Sequence, residues 1–110
     1  MYHYGKEVSQ DYKHAVEWYS RAAAQGNYDA QFKLGIMYEL GNGVSQNYQQ
    51  AFEWYGKAAE QGNADAQNSL GWMYENGNGV GQDYRQAVEW YSKAAAQEQT
   101  GAKEALNRLT

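Results

Sequence analysis

The stretch Met37–Gln61, MYELGNGVSQNYQQAFEWYGKAAEQ, returns 36 residues later as Met73–Gln97, MYENGNGVGQDYRQAVEWYSKAAAQ. The two copies differ only at Leu40/Asn76, Ser45/Gly81, Asn47/Asp83, Gln49/Arg85, Phe52/Val88, Gly56/Ser92 and Glu60/Ala96. Most of the same pattern also runs from Met1 to Gln25. A fixed period of this length marks a stacked array of supersecondary units, in which each unit contacts its neighbours. The period outranks any local reading of the chain.

Each period holds two helical patterns. The second-type pattern lies at about 12–25, 48–61 and 84–97, behind Asp11, Asn47 and Asp83 at the N-cap position. Gln50 and Gln86, three residues on, have the spacing of capping boxes; His14 stands there in the first copy. Tyr48, Ala51, Phe52, Tyr55, Ala58 and Ala59 recur at helical spacing and form one apolar stripe. Trp18, Trp54 and Trp90 lie at its edge, where they can plug the seam between units. On the other face, Glu17–Arg21, Glu53–Lys57 and Glu89–Lys93 are spaced as i,i+4 ion pairs. Gly26 and Gly62 stop this helix.

The first-type pattern covers about 28–40 and 64–76, capped by Asn27 and Asn63. Ala30/Ala66, Leu34/Leu70, Met37/Met73 and Tyr38/Tyr74 share one stripe. Gly35 and Gly71 sit mid-helix at a cost of about 1 kcal/mol each, which a helix tolerates where a neighbour packs too close for a side chain. Gly41-Asn42-Gly43-Val44 and Gly77-Asn78-Gly79-Val80 then supply a C-cap and a turn. In the first copy only Met1–Tyr4 remain of the first-type helix, and Gly5 opens the loop. Residues 101–109 read as a short terminal helix that covers the last repeat. The expected structure is all-α, with five substantial helices and a one-turn remnant at Met1–Tyr4. One domain spans 1–110: a truncated repeat at 1–26, repeats at 27–62 and 63–98, and a capping helix at 99–110.

Bulk composition excludes several function classes. The net charge of −4 argues against a nucleic-acid backbone as partner. With no cysteine, neither a disulfide framework nor a thiolate metal site can form. No apolar run approaches the length of a membrane span, and the N-terminus lacks the apolar core of a signal peptide, so a soluble chain of unassigned compartment is expected. His3 and His14 have no metal-ligand spacing, and no nucleophile motif is present. Gly-Asn-Gly-Val follows a helix rather than a strand and recurs as a repeat turn, so it is not a phosphate loop. No enzyme activity and no cofactor is expected. Glu39 and Glu75 fit equally a contact between helices and a place in a groove.

From Ala30 through Gly62 the residues follow A-x-x-x-L-G-x-M-Y-x-x-G-x-G-V-x-Q-x-Y-x-x-A-x-x-W-Y-x-K-A-A-x-Q-G almost without a gap. This pattern resembles the Sel1-like repeat, a relative of the tetratricopeptide repeat, and covers nearly the whole chain. The resemblance implies a right-handed α/α superhelix whose first-type helices line a concave face. It also implies an adaptor or scaffold for protein complexes, of a kind common in bacteria and often exported.

Positions that the copies share build a stack, and positions that differ are available to a partner. On the first-type helix the differing positions include Phe32/Asn68, Lys33/Ser69, Ile36/Trp72 and Leu40/Asn76. Phe32, Ile36 and Leu40 are four apart and form a stripe well away from Ala30, Leu34 and Met37. Aromatic and aliphatic anchors flanked by amides suit a peptide or protein partner on the concave face. The same side chains could instead fill a tight superhelix or meet a neighbouring subunit. The alternative function is a self-assembling structural fragment of a longer repeat array whose main contacts are with its own copies. For that, Tyr12, Val16, Tyr19 and Ala23 form an N-terminal edge with incomplete cover, suited to a homo-oligomer or to an upstream repeat, unless Tyr2, Tyr4 and Val8 fold back as a lid.

Overall fold

The computed structural model describes the backbone from Tyr2 to Thr110 and the side chains from Asp11 onward. Among the described residues six helices follow one another: α1 (Tyr2–Ala24), α2 (Tyr28–Leu40), α3 (Tyr48–Glu60), α4 (Ala64–Asn76), α5 (Tyr84–Ala96) and α6 (Thr100–Leu109). No strand occurs among the described residues. Consecutive helices pack on one another, so α2, α4 and α6 alternate with α1, α3 and α5.

The helix starts rest on side-chain caps. Asn27 Oδ1 accepts from the Ala30 amide at 2.9 Å, and Asn63 Oδ1 from Ala66 at 2.8 Å. Asn47 accepts from the Gln50 amide at 3.1 Å, and Asp83 from the amides of Arg85 and Gln86. Only half of the expected capping box forms. The backbone N–H of Asn47 donates to the Tyr38 carbonyl, and that of Asp83 to Tyr74, so Gln50 and Gln86 have no orphan donor to satisfy. That bond also returns the loop to the end of the preceding helix.

Two glycines in each loop have distinct reasons. Gly41 and Gly77 take left-handed φ of 73° and 71° and close the helix by donating to Met37 and Met73. Gly43 and Gly79 also have positive φ, and each lies against the backbone of the previous second-type helix. A Cβ on Gly43 would stand 2.6 Å from the Tyr12 carbonyl oxygen, and one on Gly79 would overlap that of Tyr48.

The first copy departs from expectation. The chain runs as one helix from Tyr2 to Ala24, so neither the one-turn remnant nor the loop at Gly5 forms, and Asp11 lies inside a helix rather than at its cap. The reason is local: Lys6 and Glu7 replace the Asn and the second Gly that bend the loop in the other copies. A lid that folds back over this edge is likewise absent from the backbone course. The side chains of Tyr2, Tyr4 and Val8 lie outside the described residues.

The core is built from the shared positions. Ala51, Tyr55, Ala58, Ala59, Ala66, Leu70 and Met73 form the central cluster, with Ala23, Ala30 and Leu34 before it and Ala87, Tyr91, Ala94, Ala102 and Ala105 after it. The mid-helix glycines of α2 and α4 are each roofed by a tyrosine. A Cβ on Gly35 would meet the Tyr55 ring at 2.5 Å, and one on Gly71 would meet Tyr91 at 2.6 Å. Trp54 packs on the cluster of the preceding unit and Trp90 on the central one, as seam residues should. Trp18 packs in none of these clusters and is 74% exposed. The three i,i+4 ion pairs are not formed among the described residues. Lys57 and Lys93 instead lie over the rings of Trp54 and Trp90, at 4.6 and 4.3 Å from their centroids. An exposed ion pair offers little, and the indole face competes with it.

Glutamines that the repeat pattern alone does not single out stitch neighbouring units together. Buried Gln31 donates to the Ala23 carbonyl at 3.2 Å, and its own oxygen accepts from Gln61 at 2.8 Å. Gln67, Ala59 and Gln97 repeat the arrangement one unit later. Each link ties a first-type helix to the ends of the second-type helices before and after it and satisfies a buried amide. At the C-terminal seam, Glu98 stands where Gly26 and Gly62 stand and takes φ 68°. It is the one non-glycine among the described residues with positive φ, a conformation that a Cβ disfavours. An ion pair with Lys103 accompanies it.

Candidate partner-binding groove

The three first-type helices line one open cavity of about 550 Å3. Glu39 comes from α2, Asn68, Ser69 and Trp72 from α4, and Gly101, Glu104, Ala105 and Arg108 from α6; Tyr91 of α5 joins them. Trp72 is 37% exposed and belongs to none of the core clusters.

Two hydroxyl–carboxylate pairs stand along this face. Tyr55 donates to Glu39 Oε1 at 2.6 Å, and Tyr91 to Glu75 Oε1 at 2.8 Å. In each, the ring covers the glycine and the hydroxyl reaches the carboxylate one turn further along the first-type helix. Arg108 closes the second pair with a two-pronged ion pair to Glu75; its Nη2 lies 3.1 Å from Oε1. The guanidinium holds the Glu75 carboxyl below its ordinary pKa, against the opposing effect of its burial. Burial, then the hydrogen bond to the neighbouring carboxylate, pushes both tyrosine hydroxyls well above their ordinary pKa, so they remain donors.

The eight residues expected on the concave face are divided. Asn68, Ser69 and Trp72 meet in the cavity. Phe32 and Ile36 are half-buried against the central cluster, with the Phe32 ring 5.7 Å from that of Tyr55. The expectation that stacking leaves this stripe free is therefore corrected. A helix inside an array has neighbours on two flanks, so its buried surface is wider than one stripe. Leu40 is exposed outside the cavity, and Asn76 donates to the Trp72 carbonyl of its own helix at 2.9 Å. Lys33 lines a different hollow, at the N-terminal edge.

That edge is also redrawn. Ala23 is buried, and Val16 and Tyr19 pack on Ala23, Ala30 and Leu34, so much of their surface already faces α2. Only Tyr12 of the four is exposed. The open surface centres on Trp18, which lines a second hollow with Ala15, Tyr19 and Ala22. Sequence reasoning missed Glu104 and Arg108 in the first cavity. The signal was present: Arg108 aligns with Trp72 and Ile36 at the 36-residue period.

Among the described residues no cluster of His, Cys, Asp or Glu could hold a metal ion, and no helix is long and apolar enough to cross a membrane. None of the curated proteins compared matches the chain. Among solved structures, a protective antigen of uropathogenic Escherichia coli with an SLR fold is 46% identical, with a TM-score of 0.82 over 83% of this chain and 20% of that one. A Sel1 repeat protein from Oxalobacter formigenes is 45% identical, with a TM-score of 0.74 over 74% of this chain and 63% of that one. The cysteine-rich protein B of Helicobacter pylori is 27% identical, with a TM-score of 0.78 over 83% of this chain and 68% of that one. The chain thus spans a fifth of the first of these proteins and about two thirds of the other two. The Sel1 repeat model matches residues 1–27, 29–63 and 64–98, nearly the whole length. With its repeated helix pairs and these matches, the chain belongs to the Sel1 repeat family.

Proposed function

We propose that the cavity between α2, α4 and α6 binds an extended segment of a protein partner, with Trp72 as its anchor. Sel1 repeat proteins generally act as protein–protein interaction modules and non-catalytic scaffolds. The observation that carries the reading is the meeting of Asn68, Ser69 and Trp72, all positions at which the repeats differ, in one open cavity. The shared positions beneath them are buried. An indole supplies area to bury, and the amide and hydroxyl beside it satisfy a peptide backbone. Peptides selected on the intact chain from a phage-displayed library provide the probe. Trp72→Ala should weaken them by about 2 kcal/mol, roughly thirtyfold, and leave the thermal midpoint nearly unchanged. Undiminished binding would contradict the reading, as would a chain that unfolds on substitution while peptide binding survives in the folded remainder.

A second reading concerns the N-terminal edge, and the exposure of Trp18 favours it. Trp54 and Trp90 each pack on a preceding unit, whereas Trp18 is 74% exposed beside its own hollow. The edge docks a second copy through a two-fold contact between α1 helices. Light scattering should then give a dimer mass that Trp18→Glu reduces to the monomer. A monomer at millimolar concentration would rule this out.

A further inference from the structure

Among the described residues the same hydroxyl–carboxylate pair occurs twice, one repeat apart, and only one copy is closed by a cation. At Glu75 the carboxylate takes the Tyr91 hydroxyl and both prongs of Arg108. At Glu39 it takes the Tyr55 hydroxyl at 2.6 Å, and no cation among the described residues pairs with it. The cause lies in the period. Arg108 reaches Glu75 from the next first-type helix; the residue at that register for Glu39 is Trp72. Where the second copy receives a guanidinium from its own chain, the first receives an indole.

Glu39 and Trp72 line the same cavity. A half-buried carboxylate with acceptor capacity left over, next to an aromatic ring, suits a planar cation. The carboxylate takes the N–H fork and the ring takes the flat face. Lysine brings a point charge without the fork and matches the pair less well. We infer that the cavity selects a partner with an arginine side chain, seated between Glu39 and Trp72 as Arg108 is seated against Glu75. The inference rests on the reading of this cavity as a peptide site. The net charge of −4 favours the approach of a basic segment.

The test uses the phage-selected peptides on the intact chain, measured by calorimetry. An arginine should recur at a fixed place among them. Its replacement by citrulline, which keeps the shape and removes the charge, should cost tenfold or more. Glu39→Gln, which keeps an acceptor for Tyr55, should cost a similar factor, with little further loss when both changes are combined. Peptides that need Trp72 but carry no arginine, or that tolerate citrulline, would overturn the arginine assignment and leave the cavity reading standing. Peptides indifferent to Trp72→Ala, or a selection that enriches nothing, would overturn both. The citrulline comparison needs no variant protein, so it decides the matter even if Glu39→Gln does not fold.

Discussion

Gly79→Ala should destabilise the fold by about 3 kcal/mol or more, a fall of roughly 10 °C in the thermal midpoint. Two costs combine at this position. The backbone has φ of 75°, which disfavours any Cβ, and the new methyl would overlap the carbonyl of Tyr48. That carbonyl belongs to the first turn of α3, held in a helix, so it cannot swing aside as a flexible side chain would. The loop would have to lift from α3, which loosens the contact between consecutive units. Gly56→Ala is the control. It lies mid-helix in α3, with nothing within 4 Å of an added methyl, and should stabilise the chain by about 1 kcal/mol. Equal effects from the two substitutions in thermal melts would show that the loop does not press on its neighbour.

Alkaline pH should unfold the protein through Tyr55 and Tyr91. Both rings are almost fully buried, and both hydroxyls donate to carboxylates. Their pKa values are raised in the folded state, chiefly by burial and then by the neighbouring glutamate. The neutral tyrosine is thus the form the fold requires. Its contribution is complete below the ordinary tyrosine pKa of 10.0 and declines as pH rises above it, because the unfolded chain gains by ionising. Each of the two should cost about 1.4 kcal/mol per pH unit above that point. Denaturant midpoints measured from pH 9 to 11.5 should fall steeply in the natural chain. The double variant Tyr55→Phe, Tyr91→Phe should begin lower and fall far less. A parallel decline in both proteins would place the alkaline sensitivity elsewhere.

Most of the architecture was legible because it repeats. The 36-residue period, the asparagine caps and the glycine-bounded loops placed the two inner helix pairs to within a residue or so. The mid-helix glycines pointed to close packing, and tyrosine rings lie over both. Legibility failed where a residue's partner sits outside its own local pattern. The first copy aligns with a helix end, yet Lys6 and Glu7 cannot bend as Asn-Gly does, so the helix continues. Phe32 and Ile36 looked spare on a helical wheel, which has no second neighbour, and they pack towards Tyr55. Val16 and Ala23 looked uncovered for the same reason and face α2. Glu39 was undecided because its tyrosine lies 16 residues away on another helix. Arg108 belongs to an atypical terminal helix, and only its register with Trp72 ties it to the cavity.

The division between shared residues that hold the stack and differing residues that meet a partner is tested most directly by a crystal structure with a selected peptide bound. The expected complex has the peptide across Trp72, between α2, α4 and α6, with the helices and the tyrosine–glutamate pairs in place. A peptide seated on the outer faces of α3 and α5, or against Trp18, would contradict the account.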